Sequence, residues 1–180
     1  MKKKIKCISI DGMEKTGKTS VTREMRKFLK EKDKDLYEIN GNEYDKLQLQ
    51  ESILDDNVNS LILKQNGLLS IYYNDLKYLH GIEYIQKKCH EIIRIEQNHN
   101  HLYGVVNFFL IPENTQTIQL MFGSEEIPCY YNDLVKFYKS INQTSLAQGI
   151  DIRLIPFNED DRIFDVRDKI LEILKNHYEI

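Results

Sequence analysis

The chain of 180 residues has no tryptophan, only three prolines and eight glycines, and three cysteines. Scarce proline and glycine exclude a collagen-like or linker-type segment, so residues 1–180 read as a single domain. Cys7, Cys89 and Cys129 are odd in number and widely scattered. They fit neither a disulfide framework nor a zinc spacing, and suggest ordinary thiols in a reducing compartment. No apolar run approaches the roughly 18 residues of a membrane span. Charge is not lopsided either: the net is −3 and the pI near 6.0, with no global attraction to nucleic acid or an anionic membrane. The start, MKKKIKCISI, is basic and then briefly apolar like a secretory signal, but its apolar part runs straight into Asp11. A strand with a charged lead-in is the better reading. The expectation is a cytoplasmic protein that partners neither nucleic acid nor membrane.

What is present alternates between strand and helix signals. Residues 5–10 read as a buried strand, and a helix should run from Lys18 to Lys30. LYEIN (36–40) suits a second strand, and 45–66 reads as mostly helical, with Leu47, Ile53, Leu54, Val58, Leu61 and Ile62 on one face. After Gly67, LLSIYY (68–73) suits a third strand, and Ile82 to Gln97 carries apolar residues at helical spacing. VVNFFLI (105–111) is unbroken in its apolar character, as a parallel strand covered on both faces should be. A short helix at about 113–122, a longer one around 131–147, a strand at 150–157 and a closing helix at 162–177 complete the pattern. In that last helix Ile163, Val166, Ile170 and Leu174 are expected inward. Strands each followed by helix imply a parallel sheet of five strands with helices on both faces, and ligands in such sheets sit at the carboxyl ends of the strands.

One such end carries DGMEKTGKTS, residues 11–20. Gly12, Met13, Glu14, Lys15, Thr16, Gly17, Lys18 and Thr19 match G-x-x-x-x-G-K-[ST] in full, and Ser20 follows. Glycines let successive N–H groups curl inward around phosphate oxygens. The following helix adds its positive end, Lys18 a mobile charge for the outer phosphates, and the Thr19 hydroxyl a ligand for magnesium. By composition such a match arises on the order of once in a few hundred chains of this length. Lys15 has no role in the generic motif, and on composition alone a solvated surface lysine is the better account of it.

The loop resembles that of the thymidylate kinases and, more broadly, of nucleoside and nucleotide kinases, which reads E-G-x-D-x-x-G-K-T, with a basic residue after the Asp in one subgroup. Asp11 stands for the Glu, Glu14 for the Asp, Lys15 for the basic residue and Thr16 for a Ser. The resemblance implies a three-layer P-loop NTPase fold, ATP and Mg2+ as cofactors, and a nucleotide or nucleoside as acceptor. It further implies Lys18 and Lys15 as catalytic cations, Glu14 facing the acceptor, and a lid at 122–131. That lid, FGSEEIPCYY, holds no Lys or Arg, and no arginine lies between Arg94 and Arg153, so Lys15 is the nearest cation for charge developing on the transferred group. NFFLIPENTQTI (107–118) and LVKFYKSI (134–141) are similar to further stretches of the family, and RLIPFNEDDRIF (153–164) to its last strand and adenine loop, which puts Pro156, Phe157 and Asn158 near the base. The resemblance also suggests a homodimer.

The pattern breaks at the acceptor side. NGNEYDK, where the family carries an arginine for the acceptor phosphate, has none. With the third strand at LLSIYYND, the usual Asp-Arg pair becomes Ile71-Tyr72 and Asp75 follows late; with EIIRIEQ (91–97) as that strand, the charged pair is Arg94 and Glu96. His99 and His101 have no acidic or thiol partner at ligand spacing, and most of the eleven tyrosines suit half-buried packing. The expected function is phosphoryl transfer from ATP to a deoxynucleoside monophosphate, with Glu14 and Asp75 toward the acceptor. The alternatives are a deoxynucleoside kinase, an ATPase, and a nucleotide-binding module that has lost catalysis and acts through a protein partner.

Overall fold

The computed structural model describes residues 2–32, 36–39, 61–65, 104–128, 131, 135–136 and 151–180. The strands are β1 (Lys3–Gly12), β2 (Leu36–Ile39), β3 (Leu61–Gln65), β4 (Gly104–Pro112), β5 (Asp151–Phe157) and a two-residue β6 (Tyr178–Glu179). The helices are α1 (Lys18–Glu31), α2 (Thr115–Phe122) and α3 (Ile163–His177). The sheet runs β2-β3-β1-β4-β5 with every pairing parallel, and β6 adds to the start of β1. Among the described residues the strands therefore number six, because the chain after α3 returns to the sheet.

Both faces of the central strands are buried, which is why β4 is apolar but for Asn107 and the Ile5–Ile10 stretch of β1 but for Lys6 and Ser9. On one face Ile8 and Ile10 of β1 and Val106, Phe108 and Leu110 of β4 meet Val21, Met25 and Leu29 of α1 and Val166, Ile170, Leu171 and Leu174 of α3. On the other, Cys7, Ser9, Phe109 and Ile111 are buried as well. At roughly 1.5–3 kcal/mol for each fully buried large aliphatic or aromatic side chain, this doubly covered centre is the main source of rigidity beneath the β1–α1 turn.

Helix ends follow local chemistry. Asn114 caps α2, its Oδ1 accepting from Thr117 N at 2.8 Å. The helix stops at Gly123, whose φ of 60° turns the chain and whose N–H donates to Gln119 O at 2.8 Å. At the start of α3 the Asp165 carboxylate accepts from Arg162 N at 2.8 Å, and Lys175 and His177 close the last turn against the negative end of the dipole.

Two expectations fail here. Residues 61–65 form β3, inserted between β2 and β1, and do not continue a helix from 45. Leu61 and Leu63 point to the same buried core, a period of two that a short apolar run does not distinguish from helix by itself. The strand between β2 and β1 is thus Leu61–Gln65, while LLSIYY and EIIRIEQ lie outside the described residues. Ile163 is 40% exposed at the first turn of α3, and Leu171 takes the inward place instead. The rest of the helix expected over 45–66, the helix at 82–97 and most of that at 131–147 lie outside the described residues.

Candidate functional site

The β1–α1 loop sits at the carboxyl ends of the strands, where the order reverses around β1 and open α/β sheets take their ligands. Its anchors are buried. Met13 is fully inside, and Thr16 donates its Oγ1 proton to Met13 O at 2.7 Å. Gly12 is closed in: a Cβ there would stand 2.8 Å from Leu110 O and 2.9 Å from Thr16 Oγ1. Asp11, buried at the end of β1, accepts from Gly12 N at 2.7 Å and fixes the departure of the loop.

The opposite rim is open. Gly17 is the N-cap of α1 in a left-handed conformation (φ 79°, ψ 15°), a residue with no side chain to accept from the first amides, and the first turn contains no acid. An α-helix that starts so leaves its positive end for an external anion. The Lys18 ammonium bends back into the loop and donates to Gly12 O at 2.9 Å and Met13 O at 2.5 Å. Burial holds its pKa below the ordinary lysine value, opposed by the nearby Asp11 and Glu14 carboxylates. A cation held on carbonyls in a partly desolvated cradle has unmet electrostatic demand, which anionic oxygens would satisfy better. The donor set also fits a magnesium-bound phosphate chain: Thr19 is exposed on the first turn of α1, beside the lysine.

Glu14 and Lys15 form the exposed tip. Lys15 adopts φ 63°, pairs its ammonium with the Glu125 carboxylate, and stands 4.9 Å from the centroid of the Phe122 ring. The Tyr131 hydroxyl donates to Glu14 O at 3.3 Å, and the Tyr131 ring meets Phe122 edge to face at 5.1 Å. Sequence reasoning placed a segment without lysine or arginine over this loop but did not find Phe122, Glu125 and Tyr131 as contacts of its tip. The signal available was the pair Glu125-Glu126 in a stretch lacking any base.

The remaining sequence candidates are spread along the same edge. Pro156 is exposed at the end of β5, while the Phe157 side chain belongs to the core beneath α3. Asn158 is occupied in its own turn: its N–H donates to Asp161 Oδ2 at 2.8 Å and its Nδ2 to Glu113 Oε2 at 3.2 Å. Ser20 is half-buried on α1. β3 reads LILKQ, with neither Asp nor Arg at its carboxyl end. Asp75, His99 and His101 lie outside the described residues. Among the described residues no cluster of His, Cys, Asp and Glu could by itself hold a metal ion, and no helix is long and apolar enough to cross a membrane.

A parallel sheet in this order, with a glycine-bounded loop and lysine between β1 and α1, defines a P-loop NTPase-type fold. Solved structures agree. The chain is similar to thymidylate kinase from Ehrlichia chaffeensis at a TM-score of 0.56 and 10% identity, over 96% of this chain and 99% of that one. It is similar to thymidylate kinase from Candida albicans at 0.51 and 14%, over 98% and 93%. No family model matches the sequence, and no curated protein does. The chain thus shares the thymidylate kinase-like P-loop fold.

Proposed function

We propose that the protein is a phosphotransferase that moves the terminal phosphoryl group of ATP to a nucleotide, with a deoxynucleoside monophosphate as acceptor. The observation that carries this reading is the Lys18 ammonium, parked on the Gly12 and Met13 carbonyls at the mouth of a helix without a side-chain cap. The bond from the terminal phosphorus to the bridging oxygen breaks as one to an acceptor oxygen forms, and ADP leaves. Little covalent chemistry falls to the protein; positioning and charge stabilisation do the rest. The loop amides and Lys18 hold the outer phosphates, Thr19 holds Mg2+, Lys15 offsets charge on the transferred group, and Glu14, with Asp75, addresses the acceptor. Pro156 and Asn158 border the base. A homodimer belongs to the same reading and is checked by light scattering.

A second reading is favoured by one observation, the acid-free end of β3. Among the described residues, a strand ending in Lys64-Gln65 brings no Asp-Arg pair to the acceptor side, as a nucleotide-binding module acting through a protein partner would also lack one. ADP formation from MgATP, measured against a panel of deoxy- and ribonucleosides and their monophosphates, separates the two. One acceptor should raise turnover well above the ATP-only background, and Lys18→Ala should be silent while remaining folded. Turnover retained in Lys18→Ala would sink the mechanism. ATP binding without acceleration by any acceptor would select the binding module.

A further inference from the structure

Lys15 already has an anion. Its partner Glu125 is held by a tight turn, since Gly123 bends the chain directly after α2 and Glu125 N donates to Phe122 O at 3.0 Å. Phe122 is buried, faces the Lys15 ammonium and abuts the fully buried Tyr131, whose hydroxyl reaches Glu14 O. Two adjacent loop-tip residues are therefore gripped by one short stretch of chain, Glu14 through its carbonyl and Lys15 through its charge. Lys15 meanwhile keeps a left-handed backbone that residues with a Cβ seldom adopt.

We infer that Glu125 is an internal substitute for phosphate: it occupies Lys15 in the ligand-free protein and yields it to the outer phosphate oxygens when a nucleoside triphosphate enters the loop. The inference rests on the loop being an ATP site and adds to it the residue that competes for its second lysine. A carboxylate and a phosphate offer an ammonium the same contact, anionic oxygen at hydrogen-bond range. They do not share it readily, because two anions drawn to one cation repel each other. The pair is also built to exchange. Glu125 is 67% exposed and Lys15 28%, so solvent screens their attraction and little is lost when it breaks. The phosphate chain brings more charge and the helix end as well, and so wins Lys15. Once Glu125 lets go, the charge contact between residue 125 and the loop is gone while Tyr131 still holds Glu14 O, and occupancy of the loop is reported to the turn that carries Glu125.

Titration calorimetry with MgATP on the full chain tests this, using Glu125→Gln, Lys15→Met, the double variant and Glu126→Gln. Glu125→Gln should bind MgATP about two- to five-fold more tightly, the range an exposed ion pair supports. The gain should vanish in the Lys15→Met background, as coupling between the two side chains requires. Glu126→Gln removes the same charge one residue away and should change affinity by less than about half as much. A gain that persists without Lys15, or one that Glu126→Gln equals, would mean a general field effect and overturn the inference. MgATP binding that depends on Lys18 but is unchanged by Glu125→Gln removes the exchange alone. A wild-type chain that binds no MgATP removes it together with the nucleotide reading.

Discussion

Gly12 and Gly17 bound the same loop, both with positive φ, yet they should respond very differently to a single methyl group. At Gly12, φ is 144°, and an added Cβ would lie 2.8 Å from Leu110 O, 2.9 Å from Thr16 Oγ1 and 3.2 Å from Leu110 Cβ. The nearest atom is backbone of β4, a central strand paired on both sides, and it has no freedom to retreat. Thr16 Oγ1 is tied to Met13 O. Backbone strain of about 1–3 kcal/mol adds to overpacking of about 1–3 kcal/mol, so Gly12→Ala should destabilise by about 2–6 kcal/mol. At Gly17, φ is 79° and nothing lies within 4 Å of the added atom. Only the left-handed penalty applies, about 1–2 kcal/mol. Urea unfolding followed by far-UV circular dichroism, with midpoint and slope compared among both variants and wild type, measures the difference. In heating, each kcal/mol corresponds to about 2–4 °C for a chain of this size. Equal losses at the two positions, or a larger one at Gly17, would refute the claim that β4 presses on the start of the loop.

Other tests probe the loop and its supports. The Lys18 pKa is lower in the folded chain than in the unfolded one, so between that lowered value and the ordinary 10.5 the unfolded chain holds more protons, and this group's contribution to stability rises with pH. Phosphate would favour the ammonium and raise the value again, so MgATP binding in that alkaline window should take up protons. Calorimetry in buffers of different ionisation enthalpy should detect this uptake in wild type and not in Lys18→Met. Ile170→Ala, at a fully buried position of α3, should cost about 2–5 kcal/mol, whereas Ile163→Ala, 40% exposed, should cost no more than about 0.5 kcal/mol; comparable losses in urea would undo the assignment of the inward face. Asn114→Ala removes the acceptor of the Thr117 amide, while the Thr117 hydroxyl keeps Glu159 Oε2 at 2.8 Å, and should cost about 1 kcal/mol, or a few °C in melting temperature.

The elements legible in the sequence were those whose local signals agree. β1, α1, β4, β5 and α3 were expected within a few residues of where they lie, since each pairs an apolar period with a clear boundary: Gly12, Gly17, Pro112, Asn158 and Arg162. β3 was misread because LILKQ is short and its leucines extend a helical period drawn from earlier residues; only pairing with β1 and β2 reveals it as strand. Within the site, the loop was legible because its residue types are demanded by backbone geometry. The Lys15–Glu125 pair was not, as it depends on where α2 ends relative to the loop, a distance set by the sheet and not by spacing along the chain. The inward placement of Phe157 was likewise invisible, since a rim residue and a core residue can share the last position of a strand.

β1 precedes every strand it pairs with. Cys7 lies beside Ile62 and Val105, and Lys3 beside Tyr178, all in parallel register. During synthesis, IKCISI leaves the ribosome with neither neighbour made, and at about 5–20 residues per second Ile62 follows Cys7 about 3–11 seconds later and Val105 about 5–20 seconds later. For that interval the future centre of the sheet is an apolar ribbon with two open hydrogen-bonding edges, the kind of segment that associates with others of its kind. The basic residues Lys2, Lys3, Lys4 and Lys6 around it then act as gatekeepers, keeping nascent chains apart by like charge until the sheet can close.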